Sequence, residues 1–162
     1  PLTAATEDIA YTYHITATDA DAGDVLTITA PILPGWLALT DNGDGTATLS
    51  GTPDNGEVGE HGVELRVEDA ASAAGTQAFT VTVGNANDAP LFTSAPLTAA
   101  TEDIAYTYHI TATDADAGDV LTITAPILPG WLALTDNGDG TATLSGTPDN
   151  GDLPIVLRNR QN

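Results

Sequence analysis

Three aspartates crowd into the stretch TDADAGD, as Asp19, Asp21 and Asp24, and the same stretch returns with Asp114, Asp116 and Asp119. Neither stretch contains a lysine or arginine, so the like charges repel unless a cation offsets them. Aspartates one residue apart in a loop can turn toward one ion, and Gly23 permits the sharp turn that brings them round. Calcium suits such a set, because it takes roughly six to eight hard oxygen ligands from carboxylates, amide and backbone carbonyls and water. Asp69 is a further candidate, since it comes directly after the segment GVELRVE. A third group lies in GNANDAP, where Asn85, Asn87 and Asp88 offer side-chain oxygens and Pro90 stiffens entry into the second domain. The alternative use of each acidic stretch is a solvated loop.

The elements that must position these residues have a period of two. In IAYTYHITA, Ile9, Tyr11, Tyr13, Ile15 and Ala17 share one face, and Thr12, His14, Thr16 and Thr18 share the other. That alternation predicts a half-buried strand delivering Asp19 and Asp21 to one pole of a sheet. VLTITA places Leu26 and Ile28 inward. WLAL and TATLSG read as a hairpin about Asn42-Gly43-Asp44-Gly45. GVELRV aligns Val63, Leu65 and Val67, and AFTVTV aligns Phe79, Val81 and Val83. A strand parallel to IAYTYHITA ends at the same pole, which would let Asp69 join Asp19 and Asp21. No segment carries a helical period.

Residues 1–56 and 96–151 are identical, letter for letter. The 95-residue offset suits one small β-sandwich per repeat and is too long for a solenoid unit. Duplication of this kind favours a tandem array, a spacer or an adhesive stalk, over an enzyme. The copies diverge after Gly56 and Gly151, where the second reads DLPIVLRNRQN. Leu157-Arg158 aligns with Leu65-Arg66 if three residues are deleted, and a truncated or frame-shifted end fits equally well. The second domain therefore reads as C-terminally truncated, with domains at 1–89 and 90–162.

Charge narrows the functions. The 162 residues carry 23 acidic and 3 basic side chains, a formal charge of −20. Binding nucleic acid through phosphates requires lysine and arginine, so no nucleic-acid partner is expected. Anionic membrane surfaces are disfavoured for the same reason, and no apolar run is long enough to insert into a membrane. The chain has no cysteine, hence no disulfide, thiolate zinc site or cysteine nucleophile. It has no methionine and starts mid-pattern, so it reads as a fragment of something longer.

The motifs ITATDADAGDVLTITA, LSGTPDN, VELRVED and NANDAP, in that order, resemble the cadherin-like repeats of bacterial surface proteins, of the dystroglycan-type cadherin-like and immunoglobulin-like classes. The resemblance covers nearly the whole chain. It implies an all-β fold of tandem immunoglobulin-like, cadherin-like Greek-key β-sandwiches, with Ca2+ at each junction. The ligands then come from a glutamate near the start of one domain, its lower loops, the linker and the DxD pole of the next domain. Carried onto this sequence, the junction would use Glu7, Asn87, Asp88, Asp114 and Asp116, with Asn85 as a further contributor. Asp19, Asp21 and Asp69 would form the corresponding pole of the first domain. Asp24 and Asp119 either assist or face solvent. GTPDNGE stands where cadherins have an acidic motif, with Asp54 or Glu57 as the substitute. Glu7 and Glu102, in TED, serve equally well as polar turn residues.

Other residues point to no chemistry. Trp36 and Trp131 could stack on sugars, but the adjacent Leu37 and Leu39 favour a place in the core. Asp41 and Asp44 in DNGDG lack the downstream glutamate of a helix–loop–helix calcium site and read as a turn. His14 and His109 face outward with no nucleophile motif, and His61 is expected in a loop. No paired carboxylates lie in an evident cleft. The expectation is therefore a non-enzymatic, calcium-binding repeat of a bacterial extracellular or cell-surface adhesin or stalk, whose junction the ion rigidifies. Its other partners would be like domains or cell-surface glycans. The alternative is a polysaccharide-binding module of a secreted glycan-degrading or surface protein.

Overall fold

The computed structural model describes residues 1–21 and 23–152. The tail from 153 on, with Leu157, Arg158 and Arg160, lies outside the described residues. The chain divides into two compact units, Pro1–Asn87 and Asp88–Asn162. The division falls after Asn87, ahead of the expected boundary, and leaves Asp88 with the second unit. Each unit is all-β. Among the described residues the only helical element is a 3₁₀ turn, Asn55–Glu57.

Unit 1 contains β1 (Ala4–Thr6), β2 (Tyr11–Thr16), β3 (Thr27–Ile32), β4 (Leu37–Asp41), β5 (Thr46–Gly51), β6 (Gly59–Glu68) and β7 (Ala74–Gly84). They form two sheets, ordered β1-β7-β6-β3 and β2-β5-β4. The core lies between them: Tyr11, Ile15, Leu37 and Leu49 from one sheet meet Ile28, Val63, Leu65 and Val81 from the other. These are the period-two positions of the sequence, and burying each stabilises the sandwich by about 1.5–3 kcal/mol. The result is an immunoglobulin-like sandwich.

Two local features depart from expectation. Ile9 is 60% exposed, not inward. The chain turns before β2: the Ile9 N–H donates to the Thr6 carbonyl at 3.2 Å, and Asp8 takes a left-handed φ of 59°. The second feature is β1, whose short AAT sequence carries no visible alternation. It pairs in parallel with β7, Ala4 to Thr6 lying opposite Thr82 to Gly84.

Unit 2 contains β8 (Leu91–Phe92), β9 (Tyr106–Thr113), β10 (Leu132–Asp136) and β11 (Thr141–Gly146), in one sheet ordered β10-β11-β9-β8. β9, β10 and β11 repeat β2, β4 and β5. Their buried cluster is small: Tyr106, Leu132 and Leu144. The counterparts of β1 and β3 form no strand, although their sequence is the same.

In both units a glycine lets two segments touch. A Cβ on Gly51 would collide with the Trp36 carbonyl, and one on Gly146 with the Trp131 carbonyl. Trp36 and Trp131 themselves are half-buried and meet Tyr11 and Tyr106 edge-on, with centroids 5.7 Å apart.

Candidate metal centres

β2 ends at Thr16 and releases the chain into TDADAGD, where Gly23 adopts φ 99° and closes the loop. β6 runs the same way as β2 and ends beside the loop. Asp69 comes next and closes its own turn, its Oδ1 accepting from the Ala71 and Ala73 N–H groups, both at 2.8 Å. The result is a cluster of Asp19, Asp24 and Asp69, with carboxylate oxygens all within 4.8 Å of one another. Asp19 Oδ1 also accepts from the Asp21 N–H at 2.8 Å. Asp21 itself is exposed and stands outside this cluster. Asp24, which the sequence left between assisting and facing solvent, stands inside it.

Unit 2 builds the equivalent pole differently. Asp114, Asp116 and Asp119 bring their oxygens within 4.8 Å of one another. Asp116 is only 6% exposed. Its Oδ2 accepts from the Asp88 N–H at 2.6 Å, so the linker peptide covers it. Its Oδ1 is buried without a hydrogen-bond partner among the described residues. Asp114 Oδ1 accepts from the Asp116 N–H at 3.0 Å, which holds the loop closed. A buried carboxylate oxygen with no partner is costly unless a cation satisfies it. Two more carboxylates alongside make an all-oxygen donor set, and calcium fits that chemistry.

At the other end of unit 1, Glu7 is fully buried. Its Oε1 accepts from the Ala86 N–H at 2.6 Å, and its own N–H donates to the Gly84 carbonyl at 3.0 Å. Its Oε2 has no hydrogen-bond partner among the described residues. Glu102, the same residue in the repeated sequence, is exposed. The linker residues Asn85 and Asn87 are exposed and Asp88 is half-buried. Burial of one oxygen each at Glu7 and Asp116 was invisible in the sequence, because it depends on peptide N–H groups of the linker.

Other acidic residues are spent locally. Asp54 Oδ1 accepts from the Gly56 N–H at 2.8 Å, and Glu57 Oε2 accepts from the Asp54 N–H, so the two cap the 3₁₀ turn. Asp44 Oδ1 accepts from the Thr46 hydroxyl at 2.6 Å and its N–H at 3.0 Å. The hydroxyl first, and then the backbone N–H, hold the Asp44 carboxyl below the usual carboxylate range. Asp139 repeats this with Thr141. His61 sits in β6, not in a loop; its Nε2 lies 2.5 Å from the Glu57 carbonyl and its ring meets Trp36 edge-on. Among the described residues, His14 and His109 reach Thr48 and Thr143.

The family model described as Putative Ig domain matches residues 1–84. The chain belongs to this family. Among solved structures it is similar in fold to the human Desmocollin-1 ectodomain, at TM-score 0.52 and 12% identity, over 93% of this chain and 30% of that one. The cadherin domains 3–6 of Protocadherin Gamma B2 align at TM-score 0.51 and 16% identity, over 91% of this chain and 37% of theirs. An endo-fucoidan hydrolase, MfFcnA4, of glycoside hydrolase family 107, is similar at 32% identity and TM-score 0.45, over 93% of this chain and 24% of its own. The chain thus spans about a quarter to a third of the length of these structures. No curated protein matches the sequence. No helix among the described residues is long and apolar enough to cross a membrane.

Proposed function

We propose that the chain is a non-catalytic, calcium-binding repeat segment of a bacterial extracellular adhesin or stalk, related to cadherin-like repeats. The observation that carries this reading is Asp116: buried, tied to the linker through the Asp88 N–H, and left with an unpartnered oxygen beside Asp114 and Asp119. Glu7, in unit 1, carries the same signature and would be a ligand of a separate ion there. The ion of unit 2 would be held by Asp114, Asp116 and Asp119, with carbonyls and water completing its shell. The chemistry it supplies is charge neutralisation. The Asp88 N–H bond to Asp116 ties the linker peptide to the occupied pole, so loading would limit the ways the chain can enter unit 2. This is the rigidifying role, and extracellular modules use it with dissociation constants of roughly 10⁻⁴–10⁻³ M.

Calorimetric titration of Ca2+ into the chain, with thermal melts in calcium and in chelator, tests the reading. Calcium that binds only the folded state must raise the midpoint. Equal midpoints, and no heat of binding removed by Asp116→Asn, would sink it. Glycan binding that is indifferent to chelator would instead favour a polysaccharide-binding module.

A further inference from the structure

The turn after β4 begins Asp41-Asn42-Gly43, and the turn after β10 begins Asp136-Asn137-Gly138. Asparagine followed by glycine can react with its own backbone. The side-chain Cγ and the next backbone nitrogen are already linked through Cβ, Cα and C, so one new bond closes a small ring. Glycine leaves that nitrogen with no side chain in the way, and Gly43 and Gly138 hold left-handed φ values of 73° and 74°. Asn42 and Asn137 are both exposed, so water has access to the ring once it forms.

In each turn the nitrogen that would attack is hydrogen-bonded to a carboxylate. The Gly43 N–H donates to Asp41 Oδ1 at 3.2 Å, and the Gly138 N–H donates to Asp136 Oδ1 at 3.3 Å. Asp41 is held by its second oxygen, because Oδ2 accepts from the Ile28 N–H at 3.1 Å. A carboxylate on the N–H lies near the peptide plane, whereas the nitrogen attacks a carbon through its face, above that plane. Base and electrophile therefore do not compete for one direction. The side chain that reacts is anchored as well. Asn42 Nδ2 donates to Thr46 Oγ1, and Asn137 Nδ2 to Thr141 Oγ1, both at 2.8 Å. The two threonine hydroxyls donate in turn to Asp44 and Asp139, each at 2.6 Å.

We propose that the two turns are self-modification sites, at which Asp41 and Asp136 act as general bases for the deamidation of Asn42 and Asn137. The backbone nitrogen of Gly43 bonds to Asn42 Cγ as its proton passes to Asp41. The Cγ–Nδ2 bond breaks, and the nitrogen leaves as ammonia, taking up one proton in place of the one Gly43 gave. Water then opens the cyclic imide at either carbonyl. One opening leaves aspartate, and the other leaves isoaspartate, with the chain routed through Cβ. The sum is amide plus water to carboxylic acid plus ammonia, and no other reactant is needed. Gly138, Asn137 and Asp136 repeat the step in unit 2.

Each event replaces a neutral amide with a carboxylate at the pole that carries the aspartate loop. The Ala17 N–H, at the root of that loop, donates to the Gly45 carbonyl of the turn at 2.8 Å, and Ala112 does the same with Gly140. In unit 1 loop and turn bound one cavity of about 340 Å³, with Asp19, Asp21 and Asp24 on one side and Gly43 and Asp44 on the other. The chain thereby records its age as negative charge at that pole.

The full chain, aged at neutral pH without added metal, tests this by peptide mapping with fragmentation that separates aspartate from isoaspartate. Asn42 and Asn137 should convert together, and ahead of Asn85 and Asn87, which no glycine follows. Asp136→Ser keeps an oxygen for the Gly138 N–H and removes the base. It should slow Asn137 by about tenfold or more, below the roughly 10²–10⁴-fold of general bases in enclosed sites because this turn is open to water. Asn42, in the same molecules, should keep its rate, and Asp136→Asn should slow Asn137 in the same way. Anion exchange of the aged parent should resolve species with none, one and two added charges. An Asn137 rate unchanged or raised in both Asp136 variants would overturn the proposal, since the contact would then be idle or protective. Asn42 converting no faster than Asn85, or a chain that ages as a single charge species, would overturn it too.

Discussion

The two copies of one 56-residue sequence make different structures, and that difference separates what sequence dictates from what neighbours dictate. Thr27–Ile32 is a strand in unit 1, and the same TITAPI in unit 2 is not. Intrinsic preference is equal by construction, so the strand state of β3 comes from pairing with β6. β1 behaves likewise with β7. By contrast, β2, β4 and β5 pair among themselves and recur as β9, β10 and β11 in the same register. Polar residues obey the same rule. Glu7 is buried because Ala86 and Gly84 bond to it, whereas Glu102 is exposed. Asp116 is buried because the Asp88 peptide covers it, whereas Asp21 is exposed.

The largest effect should come from the β6–β7 hairpin. Leu65→Ala removes a buried side chain and should destabilise unit 1 by roughly 2–5 kcal/mol. Calorimetry that resolves two transitions should show the unit 1 transition falling and the other staying. Equal movement of both would mean the units are not independent. Gly51→Ala and Gly146→Ala come next, at roughly 1–3 kcal/mol each for overpacking. They should cost the same, because each glycine meets a tryptophan carbonyl within its own copy. A marked inequality would show that the hairpin also bears on this contact.

Glu7→Gln against Glu102→Gln is sharper still, because a change of sign is expected. In calcium, Glu7→Gln should lower the melting midpoint, by an effect of roughly 1–3 kcal/mol. In chelator it should raise it, since a buried charge has been removed. Glu102→Gln should do little in either. The smallest effect belongs to Asp44→Asn and Asp139→Asn. Both carboxyls are held below their ordinary range by threonine, so their contribution is present above the unfolded pKa and lost as pH falls through the folded one. Acid melts of the variants should converge with those of the parent at low pH, equally for both copies.

Much of the fold was legible in the sequence. The alternation of Tyr11, Tyr13 and Ile15, of Leu26 and Ile28, and of Val63 and Leu65 gave strands and their inner faces, and DNGDG gave the hairpin turn. Burial tracks side-chain spacing, and spacing is written in the chain. Ile9 broke the pattern because a turn at Thr6–Ile9 precedes the strand. β1 was missed because three small residues carry no period, and its strand state belongs to β7. In the acidic clusters the residue types were legible but the grouping was not. Asp24 and Asp119 enter the clusters through the curl at Gly23 and Gly118, both at φ 99°, and the sequence does not specify which carboxylates that curl gathers. The burial of Glu7 and Asp116 rests on main-chain donors, which every residue except proline has and no side chain announces.

The two identical loops should bind calcium unequally, because Asp116 holds a buried carboxylate oxygen without a partner among the described residues and Asp21 is exposed. Titrating Ca2+ into the chain while monitoring backbone amides by NMR would resolve both poles in one sample. The loop of Asp114, Asp116 and Asp119 should saturate first, at roughly 10⁻⁴–10⁻³ M or below, and Asp116→Asn should abolish its response while the loop of Asp19, Asp24 and Asp69 still responds. Simultaneous saturation of the two loops, or no response in either up to about ten times that concentration, would contradict it.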